Sequence, residues 1–261
     1  MDLTNCTFSA GIVFSFPDKY LLQPGARILI VRDAAAFQAA YPAIPAGQIA
    51  GAFTGDTALS NNGEPLELLA ANGLPIKSFT YNNNAPWPEA ADGSGAGLVL
   101  INPTLNPDHT NPANWRRSTA LALPGTGDAY TYTTWATANS LTDAGGSLDP
   151  DSDGLANLIE YALGTPPGSA TTPPLVPLLQ PLVVDGLPGS WLTVALTRPP
   201  GRDDATLTVE SSTDLTPGWL PALPVGAPIQ NLDGTTTQLY RHPAPAAGPR
   251  QFLRLKAIRV P

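Results

Sequence analysis

Asp149, Asp151 and Asp153 alternate with Pro150 and Ser152, Gly154 follows at once, and Leu155, Asn157 and Glu160 complete a run over residues 149–160. The spacing, D-x-D-x-D-G-x5-E, is that of a calcium loop. A hard divalent cation takes about six to eight oxygen ligands, and side chains at alternate positions of a tight loop converge on one point. Gly154 permits the sharp turn, the Leu155 carbonyl supplies a main-chain ligand, and Asn157 holds a water or ligates directly. Glu160 then closes the shell with two oxygens from the first turn of a helix. Three aspartates and a glycine also suit a plain acidic turn capping a helix. The match at every constrained position favours Ca2+, with Asp149, Asp151, Asp153, Leu155, Asn157 and Glu160 as the expected ligands.

The elements around the loop decide what kind of site it is. Leu155, Leu158, Ile159, Tyr161, Ala162 and Leu163 recur at helical spacing, so a short amphipathic helix leaves the loop. Gly164 suits its C-terminal cap, and Pro166-Pro167 stops it. Gly145-Gly146 stands where an EF-hand would have its incoming helix. The pattern resembles the Asp-rich repeats of thrombospondin type 3 and dockerin-type calcium modules. It also resembles the single acidic loop, ending in Glu160-Tyr161-Ala162-Leu163-Gly164, that precedes C-terminal domains of some secreted bacterial proteins. A dockerin pairs two loops, and the nearest second copy, Asn231-Leu232-Asp233-Gly234, lacks the other acids. A structural clamp is therefore expected rather than an opening switch or a cohesin-binding module.

Charge supports a cationic occupant. The chain of 261 residues carries −8, from 13 basic and 21 acidic residues. Between Arg117 and Arg198 there is no Lys or Arg, while Asp128, Asp143, Asp149, Asp151, Asp153, Glu160 and Asp185 fall inside the interval. No basic stripe exists to neutralise phosphates, which argues against nucleic acid. The 30 Pro and 24 Gly against 13% charged residues predict many turns and few long helices. Short runs rich in Val, Leu, Thr and Ile predict a mainly β fold. Cys6 is the only cysteine, which leaves neither a disulfide framework nor a thiolate zinc cluster. No apolar run approaches a membrane span, and Met1-Asp2-Leu3-Thr4-Asn5 opens no signal peptide.

Three stretches are expected: a β-sandwich over 1–118, a connector over 119–173 that holds the calcium loop and its helix, and a second small β-sandwich over 174–261. In the first, residues 26–31 read as a buried strand and Ala34–Ala40 as a short helix. Residues 65–69 and 76–81 form a hairpin around Asn72-Gly73, with Ile76, Phe79 and Tyr81 competing for its core face. Residues 97–101 make another strand. The motifs Gly11-Ile12-Val13-Phe14-Ser15-Phe16-Pro17, Phe53-Thr54-Gly55, Leu59-Ser60-Asn61-Asn62-Gly63-Glu64, Ala85-Pro86-Trp87-Pro88 and Pro112-Ala113-Asn114-Trp115-Arg116 follow in an order that resembles a bacterial lamin-tail domain. The resemblance implies an immunoglobulin-like β-sandwich without catalytic residues, found in secreted and surface proteins. It begins after that family's first strands, with Cys6 where a Trp is usual, so the chain is expected to be an N-terminally truncated reading of a longer exported protein.

In the last stretch, residues 191–196 put Leu192, Val194 and Leu196 on one face, 206–210 alternate likewise, and 252–258 turn Leu253, Leu255 and Ala257 inward. Val209-Glu210-Ser211-Ser212-Thr213-Asp214-Leu215, Trp219 and the run from Arg250 to Leu255 are similar to a C-terminal module of secreted bacterial proteins. Tyr130, Tyr132 and Trp135 are expected to pack beneath the calcium loop. Trp87 reads as a core plug rather than a sugar platform, and Arg116-Arg117, Arg254, Lys256 and Arg259 as solvated cations. His109 and His242 lack a nucleophile at any diagnostic spacing. The expected function is a non-catalytic, calcium-binding modular protein of the bacterial exterior, serving adhesion, attachment or presentation toward a surface protein or polysaccharide. The alternative is the targeting part of a secreted enzyme whose catalytic domain lies upstream.

Overall fold

Breakers spaced along the chain keep its elements short. The computed structural model describes residues 1–54, 57–93, 95–119, 124–170, 176–216, 218–231, 233–246 and 250–260, and is predominantly β-sheet with three short α-helices among them. The chain divides into two compact units between Asp128 and Ala129. The expected linker residues 120–123, the boundary at 173/174 and Gly55 lie outside the described residues.

The first unit runs β1 (Thr7–Ala10), β2 (Phe14–Ser15), β3 (Leu29–Val31), α1 (Ala34–Ala40), β4 (Ile49–Ala52), β5 (Gly63–Leu69), β6 (Pro75–Asn82), β7 (Leu98–Leu100) and β8 (Trp115–Arg117). One antiparallel sheet has the order β2-β1-β5-β6. Leu3, Cys6, Ile12, Phe14 and Phe16 form its buried core, with Phe8, Ile30, Phe53, Leu68 and Ile76 packed against them. Strand alternation divides the hairpin contest, and the register shifts beside Leu68 and Leu69. Ile76 joins that core, whereas Phe79 pairs with Leu66, and Phe79 and Tyr81 line a separate cleft. Strands β3 and β4 are parallel, which the sequence reading did not foresee. A parallel pair needs a crossover, and the alanine-rich α1 supplies it. Asp33 caps that helix, its carboxylate accepting the Ala36 amide at 2.9 Å.

Two expectations about side chains in this unit resolve differently. Arg116 is buried, not solvated, and forms a salt bridge with Asp128, whose carboxylate also accepts the Thr119 amide. Trp87 is buried against Trp115, as a core plug should be.

The second unit runs α2 (Tyr132–Ala138), α3 (Asn157–Leu163), β9 (Leu178–Val184), β10 (Leu187–Arg198), β11 (Ala205–Ser212), β12 (Leu220–Pro221), β13 (Leu223–Gln230), β14 (Thr236–Arg241) and β15 (Phe252–Arg259). Its sheets have the orders β13-β14-β10-β9 and β12-β11-β15. Alternation reads true along β11, where Ala205, Leu207, Val209 and Ser211 are buried. On β10, Val194 and Leu196 are buried, but so are Trp191 and Thr193 on the opposite face. Tyr132, Trp135, Leu158, Tyr161 and Ala162 share one core with Val194, Leu196, Leu207 and Val209. The acidic loop and its helix thus belong to this unit and not to a free-standing connector. The cations of β15 are partnered. Arg254 lies over the Trp219 ring and, with Lys256, pairs with Glu210, while Arg259 bonds the Ala144 carbonyl. Among the described residues no helix is long and apolar enough to cross a membrane.

Candidate metal centre

The loop is built by backbone amides that each bond one aspartate oxygen. Asp149 Oδ2 accepts the Gly154 amide at 2.9 Å, and Asp151 Oδ1 accepts that of Asp153 at 3.3 Å. Asp153 Oδ1 accepts the Leu155 amide at 2.8 Å. Such side-chain-to-backbone bonds are the ordinary Asx habit, and here they fold three carboxylates inward. One oxygen from each of Asp149, Asp151 and Asp153 lies within 4.8 Å of the others. Gly154 takes φ +92°, the left-handed region that a side chain would resist, which lets the chain reverse between the triad and the helix.

Helix α3 carries Asn157 and Glu160, and Glu160 stands outside the 4.8 Å group of carboxylate oxygens. The Asn157 amide donates to the Leu148 carbonyl at 2.8 Å, and the Leu158 amide to the Gly146 carbonyl at 2.9 Å, so the loop's two ends are stitched together. Gly146 is essential to that stitch: its φ is +74°, and an added Cβ would stand 2.6 Å from Leu158 Cβ. Gly146→Ala is expected to cost about 2 kcal/mol from the strained backbone alone, read as a lower urea midpoint at unchanged slope. At the other end Gly164, at φ +78°, closes the helix with amides of Gly164 and Thr165 on the Glu160 carbonyl.

Asn157 and Glu160 are the diagnostic groups, at 1% and 0% exposed. Both Glu160 oxygens are buried without a hydrogen-bond partner, as are Asn157 Oδ1, Asp149 Oδ1 and Asp151 Oδ2. Buried polar atoms are ordinarily satisfied, so five orphan oxygens on four neighbouring residues demand a partner. Burial, together with the charges of Asp151, Asp153 and Asp149, pushes the Glu160 carboxyl from its ordinary 4.5 up to about 7. The donor set is oxygen throughout, which suits a hard divalent cation rather than a soft one. The three aspartates can coordinate such an ion. Leu155 is held by its amide on Asp153, and of the expected ligands it alone would use its backbone carbonyl.

Sequence reasoning missed Asp143, which it counted only as charge. Burial raises its pKa, but bonds from the Leu148 amide, the Asn157 side chain and the Gly146 and Gly145 amides outweigh it and hold the carboxyl below the usual range. Its Oδ2 accepts from Leu148 at 2.7 Å and from Asn157 Nδ2 at 3.3 Å. That second bond fixes the Asn157 amide with its oxygen away from Asp143. The signal available in sequence was an Asp two residues before Gly145-Gly146, a common turn pattern. No helix enters the loop directly. Instead α2 sits upstream, its Tyr132 hydroxyl on the Asp143 carbonyl at 2.8 Å and its rings of Tyr132 and Trp135 against Tyr161. Those aromatics pack in the core under α3.

The two imidazoles are occupied elsewhere. His109 Nδ1 lies 2.8 Å from the Pro107 carbonyl, and its ring meets Phe79 and Trp115 edge-on. His242 is buried, with Nδ1 accepting the Ala244 amide at 3.1 Å. No protein-family model, curated protein or solved structure matches the chain.

Proposed function

We propose that the chain is a non-catalytic, calcium-binding modular protein of the bacterial exterior, used for attachment or presentation. Ca2+ is held by Asp149, Asp151, Asp153, the Leu155 carbonyl, Asn157 and Glu160. The observation that carries this reading is the pair of orphan Glu160 oxygens, fully buried beside three more carboxylates. Removing an ionised carboxylate from water is costly unless a cation compensates it. Calcium is favoured over magnesium because a loop with this many protein oxygens fits a large, flexibly coordinated ion, whereas magnesium keeps several of its waters. An exterior setting follows from the same reading, since weak calcium loops fill where the ion is abundant. The lamin-tail resemblance of the first unit, with its implied immunoglobulin-like sandwich, and the sandwich expected for the second unit belong to the reading too. They are supported by the antiparallel sheets and by the order of the motifs.

Titration calorimetry on the intact chain tests the metal. One site per chain with calcium is expected, and at least tenfold weaker heat-derived affinity with magnesium. A flat calcium titration up to millimolar concentrations would remove the proposal.

A further inference from the structure

The first unit carries a cleft of about 350 Å³ whose lining includes Phe79, Tyr81, Trp115, Asn61, Asn83 and Asp92. That volume lies at the lower end of small-molecule sites, which span about 300–1,000 Å³. Its aromatic part is fixed before any ligand arrives. Phe79 and Trp115 stack at 5.3 Å with 26° between their planes, and Trp115 Nε1 donates to the His109 carbonyl at 2.9 Å. The Tyr81 hydroxyl donates to the Ser60 carbonyl at 2.8 Å and lies 3.1 Å from Glu64 Oε1, which locks that ring as well. Rings held this way lose little freedom on binding. The polar part is made of amides and one acid. Asn83 Nδ2 donates to Asp92 Oδ2 at 3.2 Å, so the pair is aligned while the other Asp92 oxygen remains available to a ligand. Asn61 is exposed beside them.

Charge narrows the ligand. Among the described residues the lining holds no Lys or Arg, and Asp92 is its carboxylate. Phosphates, uronic acids and other anions would meet no cationic donor and one like charge. What fits is a molecule with an apolar face for the rings and several neutral hydroxyls for amide and carboxylate groups, each of which both orients and discriminates. We propose that this cleft binds a neutral sugar residue of a polysaccharide. The inference rests on the attachment reading, to which it gives a ligand class, but not on the metal.

Retention of the full chain on insoluble cellulose, chitin, xylan and mannan, in excess calcium chloride, tests it directly. Binding to at least one of these is expected. A double variant, Asn61→Ala with Asp92→Ala, should lower retention at least tenfold at an unchanged melting temperature. Single Asn83→Ala, on the same rim, should lower it severalfold and guards against a double variant that fails to fold. Absence from all four glycans, equal retention of the folded variants, or competition by choline chloride rather than by soluble sugar would each overturn the proposal. Calorimetric heat with calcium but no glycan retention sinks this inference alone. Glycan retention without calcium heat sinks the metal alone.

Discussion

Calcium at about a hundred times its dissociation constant is expected to stabilise the second unit by about 2.7 kcal/mol, since the ion binds the folded loop and not the unfolded chain. For a unit of this size that is a rise in melting temperature of about 10 °C. Asp153→Ala should abolish the rise, because it removes a carboxylate from the triad and the bond that holds the Leu155 amide. The two effects on the metal-free protein oppose each other. Losing the bond to Leu155 loosens the loop, while losing the charge relieves Asp149, Asp151 and Glu160. The metal-free variant should therefore melt within a few degrees of the parent, so that the difference appears only with calcium present. Differential scanning calorimetry in EDTA and in calcium chloride, for both proteins, separates these outcomes. A parent whose melting temperature ignores calcium would end the case for the ion.

The second large effect is a dependence on pH whose sign follows from Glu160. Its carboxyl is pushed up to about 7 in the metal-free fold, from an ordinary 4.5. A group with a raised folded value stabilises the fold in its protonated form. That contribution is complete below the ordinary value and is lost as the pH climbs through about 7. The metal-free protein is accordingly expected to weaken between these two limits as pH rises, and Glu160→Gln should flatten the profile. Calcium reverses the preference, because it takes the ionised form and must displace the proton. Apparent affinity should then fall about tenfold per pH unit below 7, with close to one proton released per ion. Calorimetry in buffers of different ionisation heat measures that proton directly. In Glu160→Gln the affinity itself drops, but its slope with pH in this window should vanish. Equal slopes in the two proteins would show that Glu160 is not the coupled group.

The acidic loop was the most legible part of the chain because it depends on local spacing. Twelve consecutive residues dictate which oxygens converge, and the cap at Gly164 and the strand alternation of β11 and β15 are equally local. What escaped was set by distant partners. Asp143 looked like charge and proved to be the bracket that holds Leu148 and Asn157, and Arg116 looked solvated but pairs with Asp128. The parallel pair β3 and β4 could not be read from either strand, since pairing direction depends on how α1 returns the chain. Ile76, Phe79 and Tyr81 could not be assigned to one face because the hairpin serves two, the core at Ile76 and the cleft at Phe79 and Tyr81. The division of the chain at Asp128 and Ala129 is likewise set by packing between residues far apart in sequence, with Tyr132 and Trp135 against Tyr161 in one core.

Helix α3 presents Glu160 on one side while Leu158, Tyr161 and Ala162 lie in the shared core. The Tyr161 hydroxyl further reaches the Tyr130 carbonyl and the Asp204 carboxylate, and Asp204 accepts the Tyr132 amide at 2.9 Å. This helix of about two turns is thereby a keystone with an acidic side and an aromatic side. Seating an ion on one side slows the opening of everything mortared to the other, so amide hydrogens of β11 and α2, which touch no metal, should exchange with deuterium more slowly in calcium than in chelator.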